Sequence, residues 1–284
     1  MFELQDKVAI SVAGVIEPAL QVAETARSAH RPTNDLTAYE LYLRALAKFP
    51  WSRKEQLLEA RDLLDRAIAR DPRYGPVLAW ASTCEFRLGL DGWAEDRELS
   101  RRKALALAEQ ALAVAGDDAS VLANAAHVLG LSGEDINTAI SLIDRSVALN
   151  PSSARGWYVS GLLRVVVGRY DAAIEHLERS LRLSPRGYLA ASRLALGMVH
   201  LFNRRFDQAA EMFAMSVREG GFLAAYRALA SCYGHLGRLD EARAVIERLQ
   251  AIAPNVISRP VAYMNPEQRE LFLLGLRLAA GEET

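Results

Sequence analysis

Histidine and cysteine are the residue types in this chain that could bind a metal ion or act as nucleophiles. The five histidines fall on different predicted elements: His30, His127, His176, His200 and His235. None has another histidine four residues away or a neighbouring cluster of Cys and Asp, which is the spacing that helical metal sites use. Cys84 and Cys232 lie far apart among apolar residues, a setting typical of core packing rather than of a disulfide. We therefore expect no metal and no cofactor.

Motifs for nucleophilic catalysis and phosphate binding are also missing from the sequence. No Gly-x-Ser-x-Gly elbow occurs. The glycine turns at 116–118 and 130–133 lack the Lys-Ser/Thr pair that follows a phosphate-binding loop. The densest basic run, residues 100–103, follows a stretch rich in Asp and Glu, which indicates a solvated helix start. The sequence thus predicts that the protein is not an enzyme.

The charges of the chain balance, with 34 Lys and Arg against 35 Asp and Glu. Without an excess of cations the surface is poorly suited to phosphates, so we expect no direct nucleic-acid binding. The hydrophobic fraction of 51% argues against disorder. No apolar run is long enough to span a membrane, and residues 1–7 lack the basic start of a secretory signal. We expect a cytoplasmic protein without membrane contact.

A repeat of about 34 residues organises the sequence. In the clearest unit, counted from Ala154, Gly161 stands at position 8, Tyr170 at 17, Ala173 at 20 and Pro185 at 32. Small residues at positions 8, 20 and 27 let two helices approach closely, large residues fill the seam, and proline stops the second helix. This pattern is typical of a tetratricopeptide repeat, which consists of two antiparallel helices.

The repeat predicts an all-α fold, a right-handed α-solenoid of about six tetratricopeptide helix pairs. The expected pairs are residues 36–72, 73–117, 118–151, 152–185, 186–221 and 222–254. They are flanked by an N-terminal amphipathic helical segment, a linker and a C-terminal capping region, which are residues 1–30, 31–35 and 255–284. Trp51 and Trp93 lie on lengthened turns, where they contact either another domain or their own helix pair.

The concave face of such a solenoid is lined mainly by positions 2, 5, 9, 12 and 13 of each first helix. With one residue of slack for Arg87, these positions predict ten candidate peptide contacts: Arg87, Asn124, Arg155, Tyr158, Leu162, Leu194, Met198, Phe202, Arg227 and His235. The Lys and Asn that hold a terminal carboxylate in chaperone-binding tetratricopeptide proteins are missing from positions 5 and 9. The groove is therefore mostly apolar with scattered arginines, which suits a helix or extended peptide with a few acidic residues.

Beyond the repeat, several phrases resemble the C-terminal half of bacterial class III adenylate cyclases and of winged-helix regulators. The phrases are residues 2–6, 38–45, 176–185 and 275–279. The resemblance implies that residues 2–6 end a TolB-like segment and that an upstream cyclase or DNA-binding domain is a partner. The chain has no room for a cyclase catalytic domain, so no catalytic residue is carried over.

Two functions follow from these observations. The first is a non-catalytic protein–protein interaction module, a scaffold or adaptor that forms the regulatory tail of a signalling protein. The alternative is a sensory or oligomerisation domain that controls an adenylate cyclase or transcription-regulator output. The alternative rests on the resemblance and on the apolar segment within residues 1–30, which would favour a homodimer if it were exposed.

Overall fold

A computed structural model describes residues 38–47, 49, 53–185, 187–220, 222–253 and 265–281. These residues form thirteen α-helices and no strand. The helices are α1 (Ala38–Leu46), α2 (Lys54–Arg70), α3 (Gly75–Asp91), α4 (Arg97–Ala115), α5 (Ala119–Leu131), α6 (Ile136–Leu149), α7 (Ala154–Val166), α8 (Tyr170–Leu183), α9 (Leu189–Phe202), α10 (Phe206–Arg218), α11 (Leu223–His235), α12 (Leu239–Ile252) and α13 (Pro266–Ala280). The predicted all-α solenoid is confirmed. The segment 1–30, the linker 31–35 and Trp51 lie outside the described residues.

Each odd-numbered helix from α1 to α11 packs against the even-numbered helix that follows it, which gives six pairs. Polar side chains begin several helices by accepting hydrogen bonds from first-turn amides: Asp96, Asp118, Asp135, Ser153 and Asn265. The turn after α10 contains Gly220 with φ 76°, so glycine ends this pair, as its sequence predicts, where other pairs have proline.

Small residues at the predicted positions allow the paired helices to touch. A Cβ atom on Gly161 would lie 2.6 Å from Leu177 Cγ, and one on Gly197 would lie 2.5 Å from Phe213 Cε1. Both distances are far below van der Waals contact, so these helices approach closely only because glycine has no side chain. Leu177 and Phe213 are fully buried in the seams that result.

Position 27 has a small residue in several pairs, as the sequence pattern requires. Three pairs have a fully buried serine there: Ser146, Ser180 and Ser216. Their hydroxyls donate to carbonyl oxygens in the first turn of the paired helix, which are those of Ala119, Ala154 and Ala190, at 2.6, 2.8 and 2.7 Å. A serine is small enough for the close approach, and its hydrogen bond also fixes the register of the two helices.

The last helix, α13, lies against α11 on the side that faces the groove. Ser231 Oγ donates to the carbonyl oxygen of Phe272 at 2.9 Å, and a Cβ atom on Gly234 would lie 2.0 Å from the carbonyl oxygen of Gly275. The charged residues of α13 are exposed on its outer face, as expected for a capping helix. Near its start, Gln268 Nε2 donates to the carbonyl oxygen of Val165 in α7 at 3.0 Å. The helix therefore caps the solenoid by crossing part of its concave side.

The curvature of the solenoid brings residues of distant repeats into contact. The ring of Phe49, just after α1, lies 5.6 Å from that of Tyr188, just before α9. The guanidinium of Arg87 in α3 lies 4.4 Å from the ring centre of Phe222, which precedes α11. Trp93 packs partly on its own end of the solenoid and partly on a cluster of the sixth pair. These contacts and α13 enclose the concave face.

Candidate functional site

A cavity of about 480 Å³ occupies the concave side. Its lining comes from all the odd-numbered helices from α3 to α13, together with connecting residues such as Phe49, Tyr188 and Phe222. Eight of the ten residues predicted from the repeat positions line it: Arg87, Arg155, Tyr158, Leu162, Leu194, Met198, Phe202 and Arg227. The repeat geometry thus brings these side chains from four helices, α3, α7, α9 and α11, to one space.

Asn124 does not line the cavity, because α5 begins one residue earlier than the repeat count assumed. The carboxylate of Asp118 accepts from the amides of Ser120 and Val121, which starts the helix at Ala119. The repeat count places His127 at position 8, which packs between the helices. With α5 beginning at Ala119, His127 takes the next position, which faces the groove, and it lines the cavity. Asp118 ahead of an apolar run is a recognisable N-cap and could have given this start from the sequence.

Asn124 instead positions Arg155, which is buried at the base of the cavity. Arg155 Nε donates to Asn124 Oδ1 at 2.8 Å, and the hydroxyl of Thr83 donates to the same oxygen at 2.9 Å. The amide Nδ2 of Asn124 donates to the carbonyl oxygen of Ser120, which fixes the side chain. The guanidinium of Arg155 lies 4.6 Å from the ring centre of Trp80. This arrangement holds the guanidinium in one orientation.

His235 does not line the cavity either, because α13 covers it. Its ring stacks on Phe206 with a centroid distance of 4.4 Å, and its Nε2 donates to the carbonyl oxygen of Leu271 at 2.9 Å. Burial lowers the pKa of His235. The position count assigns this residue to an open groove, whereas the contacts place it in the seam between α11 and α13.

The cavity carries both charges and a large apolar wall. Asp91 accepts from the guanidinium of Arg87 at 2.7 Å, so these two lining charges offset each other. Glu219, at the rim, forms an ion pair with Arg193. Aliphatic and aromatic side chains of α7 and α9 make up much of the remaining surface. Such a mixture suits a ligand with an apolar body and few charged groups.

His127 is buried in this lining in its neutral form. Burial, followed by the nearby charges of Arg155 and Arg87, holds the pKa of His127 well below its usual value of 6.5. Its ring meets Phe86 edge-on at 5.6 Å, and its Nδ1 has no hydrogen-bond partner among the described residues. This atom has almost no accessible surface, so the ring packs within the lining instead of offering a hydrogen bond to the cavity.

The lowered pKa of His127 predicts a loss of stability in acid. Below about pH 6.5 the unfolded chain binds a proton at this residue that the folded chain excludes, so the free energy of unfolding falls as the pH falls. The slope from one such group reaches about 1.4 kcal/mol per pH unit. Between pH 7 and 5, the free energy of unfolding should fall less steeply in His127→Gln than in the unchanged protein. Urea unfolding at each pH measures this free energy. Equal slopes in the two proteins would contradict the assignment.

Other groups that could do chemistry are packed within the fold. Cys84 and Cys232 are free and buried, and burial raises the pKa of both thiols, which disfavours the reactive thiolate. In the parts of the chain that the structure describes, no three Cys, His, Asp or Glu side chains come together as a metal site. No helix in those parts is both long and apolar enough to cross a membrane.

Residues contributed by turns and by α13 could not be assigned from the sequence pattern. Phe49, Tyr188, Phe222 and Gln268 all line the cavity. Phe49 lies in a lengthened turn and Gln268 in the capping helix, so no repeat position applies to them. Their contribution depends on the curvature of the whole solenoid, which accumulates from small rotations between repeats.

The sequence profile of the tetratricopeptide repeat matches residues 131–188 and 194–257. Tetratricopeptide repeats are thus recognised in these two stretches, the first of which contains the clearest unit. No characterised protein matches the chain in a sequence comparison. None of the matches supports the resemblance to adenylate cyclases, winged-helix regulators or a TolB-like segment.

Solved structures with similar folds span most of the chain. Human IFIT1, in a dimer with PPP-AAAA, is 17% identical and aligns over 78% of this chain and 51% of its own, with a TM-score of 0.62. A chain of the Cut9-Hcn1 hetero-tetramer of the APC/C is 16% identical. It aligns over 95% of this chain and 48% of its own length, with a TM-score of 0.58. PilW, a type IV pilus biogenesis factor, is 15% identical. It aligns over 82% of this chain and 97% of its own length, with a TM-score of 0.51. At these identities the similarity shows the solenoid fold alone.

Proposed function

We propose that this α-solenoid of tetratricopeptide repeats is a non-catalytic scaffold that binds a protein partner through its concave face. Tetratricopeptide folds are in general non-catalytic scaffolds for protein interaction, and the recognised repeats give that general expectation for this chain. The proposal goes further by assigning the contact to the mouth of the cavity. We also propose a cytoplasmic location. Cys84 and Cys232 are both free, which is consistent with it. A link to a cyclase or to a DNA-binding output is not part of the proposal.

One observation carries the proposal. Side chains at equivalent positions of successive odd-numbered helices converge on one cavity, and those on α7 and α9 form an apolar wall. Leu162 and Leu194 belong to this wall and both are partly exposed to it. The exposed large apolar residues along the described chain are scattered single side chains, as is normal on a protein surface. The wall is therefore the surface on which burial of a partner's side chain gains most free energy.

The proposal predicts that a negative charge on the apolar wall disrupts partner binding. In the Leu194→Glu variant a carboxylate would have to be desolvated against the partner's apolar side chain, so binding should weaken by about 30-fold or more. The control is Leu149→Glu on α6, which makes the same change at a residue that is 52% exposed. Immobilised protein captures the partner from a cell extract, and the purified partner is then titrated against both variants by calorimetry.

The two variants separate the possible outcomes. Loss of binding by Leu194→Glu with unchanged binding by Leu149→Glu supports the concave face as the docking surface. Equal binding by both variants, with circular dichroism showing both to be folded, would overturn it. The predicted homodimer through residues 1–30 lies outside the described residues and is separate from this test.

A further inference from the structure

We propose that the cavity is also a binding site for a small organic monocarboxylate, whose carboxylate pairs with Arg155 and whose apolar body packs on the wall formed by α7 and α9. The inference goes beyond the scaffold function and does not depend on it, because it rests on the cavity and its charges alone. A ligand in this space would compete with any partner side chain that enters the cavity.

Arg155 is a buried cation whose hydrogen-bond partners among the described residues are all neutral. Its guanidinium donates to Asn124, more weakly to Thr83 at 3.5 Å, and to the hydroxyl of Tyr188. Among the residues that the structure describes, no carboxylate pairs with it. Burial lowers the pKa of Arg155, but a guanidinium stays charged at any physiological pH. A buried charge without an opposite charge is costly, and a bound anion would offset that cost.

The geometry of Arg155 leaves room for such an anion. A guanidinium has five N–H donors, and the three neutral acceptors engage only part of them. Arg155 lines the cavity, so an anion bound in that space would lie beside this side chain. His127 lines the same cavity, and it adds no charge there because its imidazole is neutral. A planar carboxylate matches a guanidinium fork better than a spherical anion does.

The charge of the lining favours an anionic ligand. Three guanidinium groups line the cavity, those of Arg87, Arg155 and Arg227, against the two carboxylates of Asp91 and Glu219. Asp91 pairs with Arg87, and Glu219 pairs with Arg193, so neither carboxylate serves Arg155. Because both carboxylates are already paired, Arg155 contributes a positive charge to the lining that a bound carboxylate can balance, and the neutral histidine adds none.

The enclosure of the cavity favours a small molecule over a continuous peptide. Phe49 meets Tyr188 across the groove, Arg87 lies on Phe222, and Gln268 bonds to the backbone of α7. A peptide running through the groove would have to break these contacts, whereas a compact ligand fits inside them. The volume of about 480 Å³ falls within the range of small-molecule sites in proteins.

Isothermal titration calorimetry on the full chain tests the proposal with three carboxylates of different shape, namely phenylacetate, 2-naphthoate and decanoate. The neutral comparison for 2-naphthoate is 2-naphthamide, which keeps the ring and removes the charge. The binding-site variant is Arg155→Met, which keeps the apolar stem, and its matched control is Arg182→Met. Arg182 lies on α8 with a side chain that is 64% exposed, so the control removes the same charge far from the cavity.

We expect saturable binding of at least one carboxylate, weakened by about tenfold or more in Arg155→Met and unchanged in Arg182→Met. The amide should bind at least about tenfold more weakly than 2-naphthoate. Arg155→Met should still fold, since replacing a buried charge with an apolar side chain is often neutral or stabilising, and thermal unfolding checks this.

Absence of binding for all three carboxylates would overturn the proposal, and so would equal binding by folded Arg155→Met. Tighter binding of a free acidic peptide such as Leu-Phe-Glu would assign the cavity to a protein segment and also overturn it. Each of these outcomes is independent of the partner-capture experiment. The two experiments therefore test the scaffold function and the ligand site independently of each other.

Discussion

Replacing Gly234 with alanine is expected to detach α13 from the solenoid. The added Cβ atom would lie 2.0 Å from the carbonyl oxygen of Gly275 and 2.8 Å from the amide nitrogen of Ala279, and both are backbone atoms that cannot turn away. Alanine improves helix propensity by about 1 kcal/mol, but the clash costs about 3 kcal/mol and dominates. We expect hydrogen exchange to show lost protection across residues 266–280 and limited proteolysis to cut there.

The matched control is Gly89→Ala, which makes the same change on α3. There the nearest atoms to an added Cβ are 3.6 Å away, which is ordinary van der Waals contact. We expect this variant to be neutral or more stable by up to about 1 kcal/mol, because only the helix propensity changes. If Gly234→Ala and Gly89→Ala behave alike, the close packing of α13 on α11 is wrong.

Truncation of Phe213 is expected to have the largest effect of any single core change. Its side chain is fully buried between α9 and α10 and fills the space that Gly197 leaves open. Phe213→Ala should lower the free energy of unfolding by about 3–5 kcal/mol through lost burial and the cavity left behind. Urea unfolding followed by circular dichroism measures this loss.

A double-mutant cycle shows whether the contact with Gly197 is responsible. In the unchanged protein Gly197→Ala places a Cβ atom 2.5 Å from the ring of Phe213, which should destabilise the fold by about 1–3 kcal/mol. In the Phe213→Ala background the clash is gone, and the same change should stabilise by up to about 1 kcal/mol. The reversal of sign is the expected coupling between the two positions. Additive effects would contradict the packing.

Local features of the repeat could be predicted from the sequence, because they depend on residues close in the chain. Gly161 and Ala173 indicate where two helices touch, and Pro185 follows the end of the second helix. The structure has a helix pair at these residues, and Gly161 contacts Leu177 as the spacing requires. Helix caps are equally local. The misplaced register of α5 came from counting repeat positions without using Asp118 as the N-cap.

Features that depend on the whole solenoid could not be predicted in this way. The contact between Phe49 and Tyr188 joins turns of the first and fifth pairs, and it exists only because small rotations between repeats accumulate. The position of α13 is another example. An amphipathic helix can stack beyond the last repeat or lie on its concave side, and in this chain Gly234 and Gly275 permit the second arrangement. That choice determines that His235 is covered and that Gln268 lines the cavity.

Site-specific photo-crosslinking shows whether the concave face receives the partner. A photoreactive phenylalanine derivative replaces Met198, which lines the cavity, and in a separate variant replaces Leu149 on the convex side. Both proteins are mixed with the purified partner, irradiated and analysed by mass spectrometry. We expect a defined peptide of the partner to be crosslinked to position 198 and no peptide to be crosslinked to position 149. Crosslinking at position 149 with none at position 198 would contradict it.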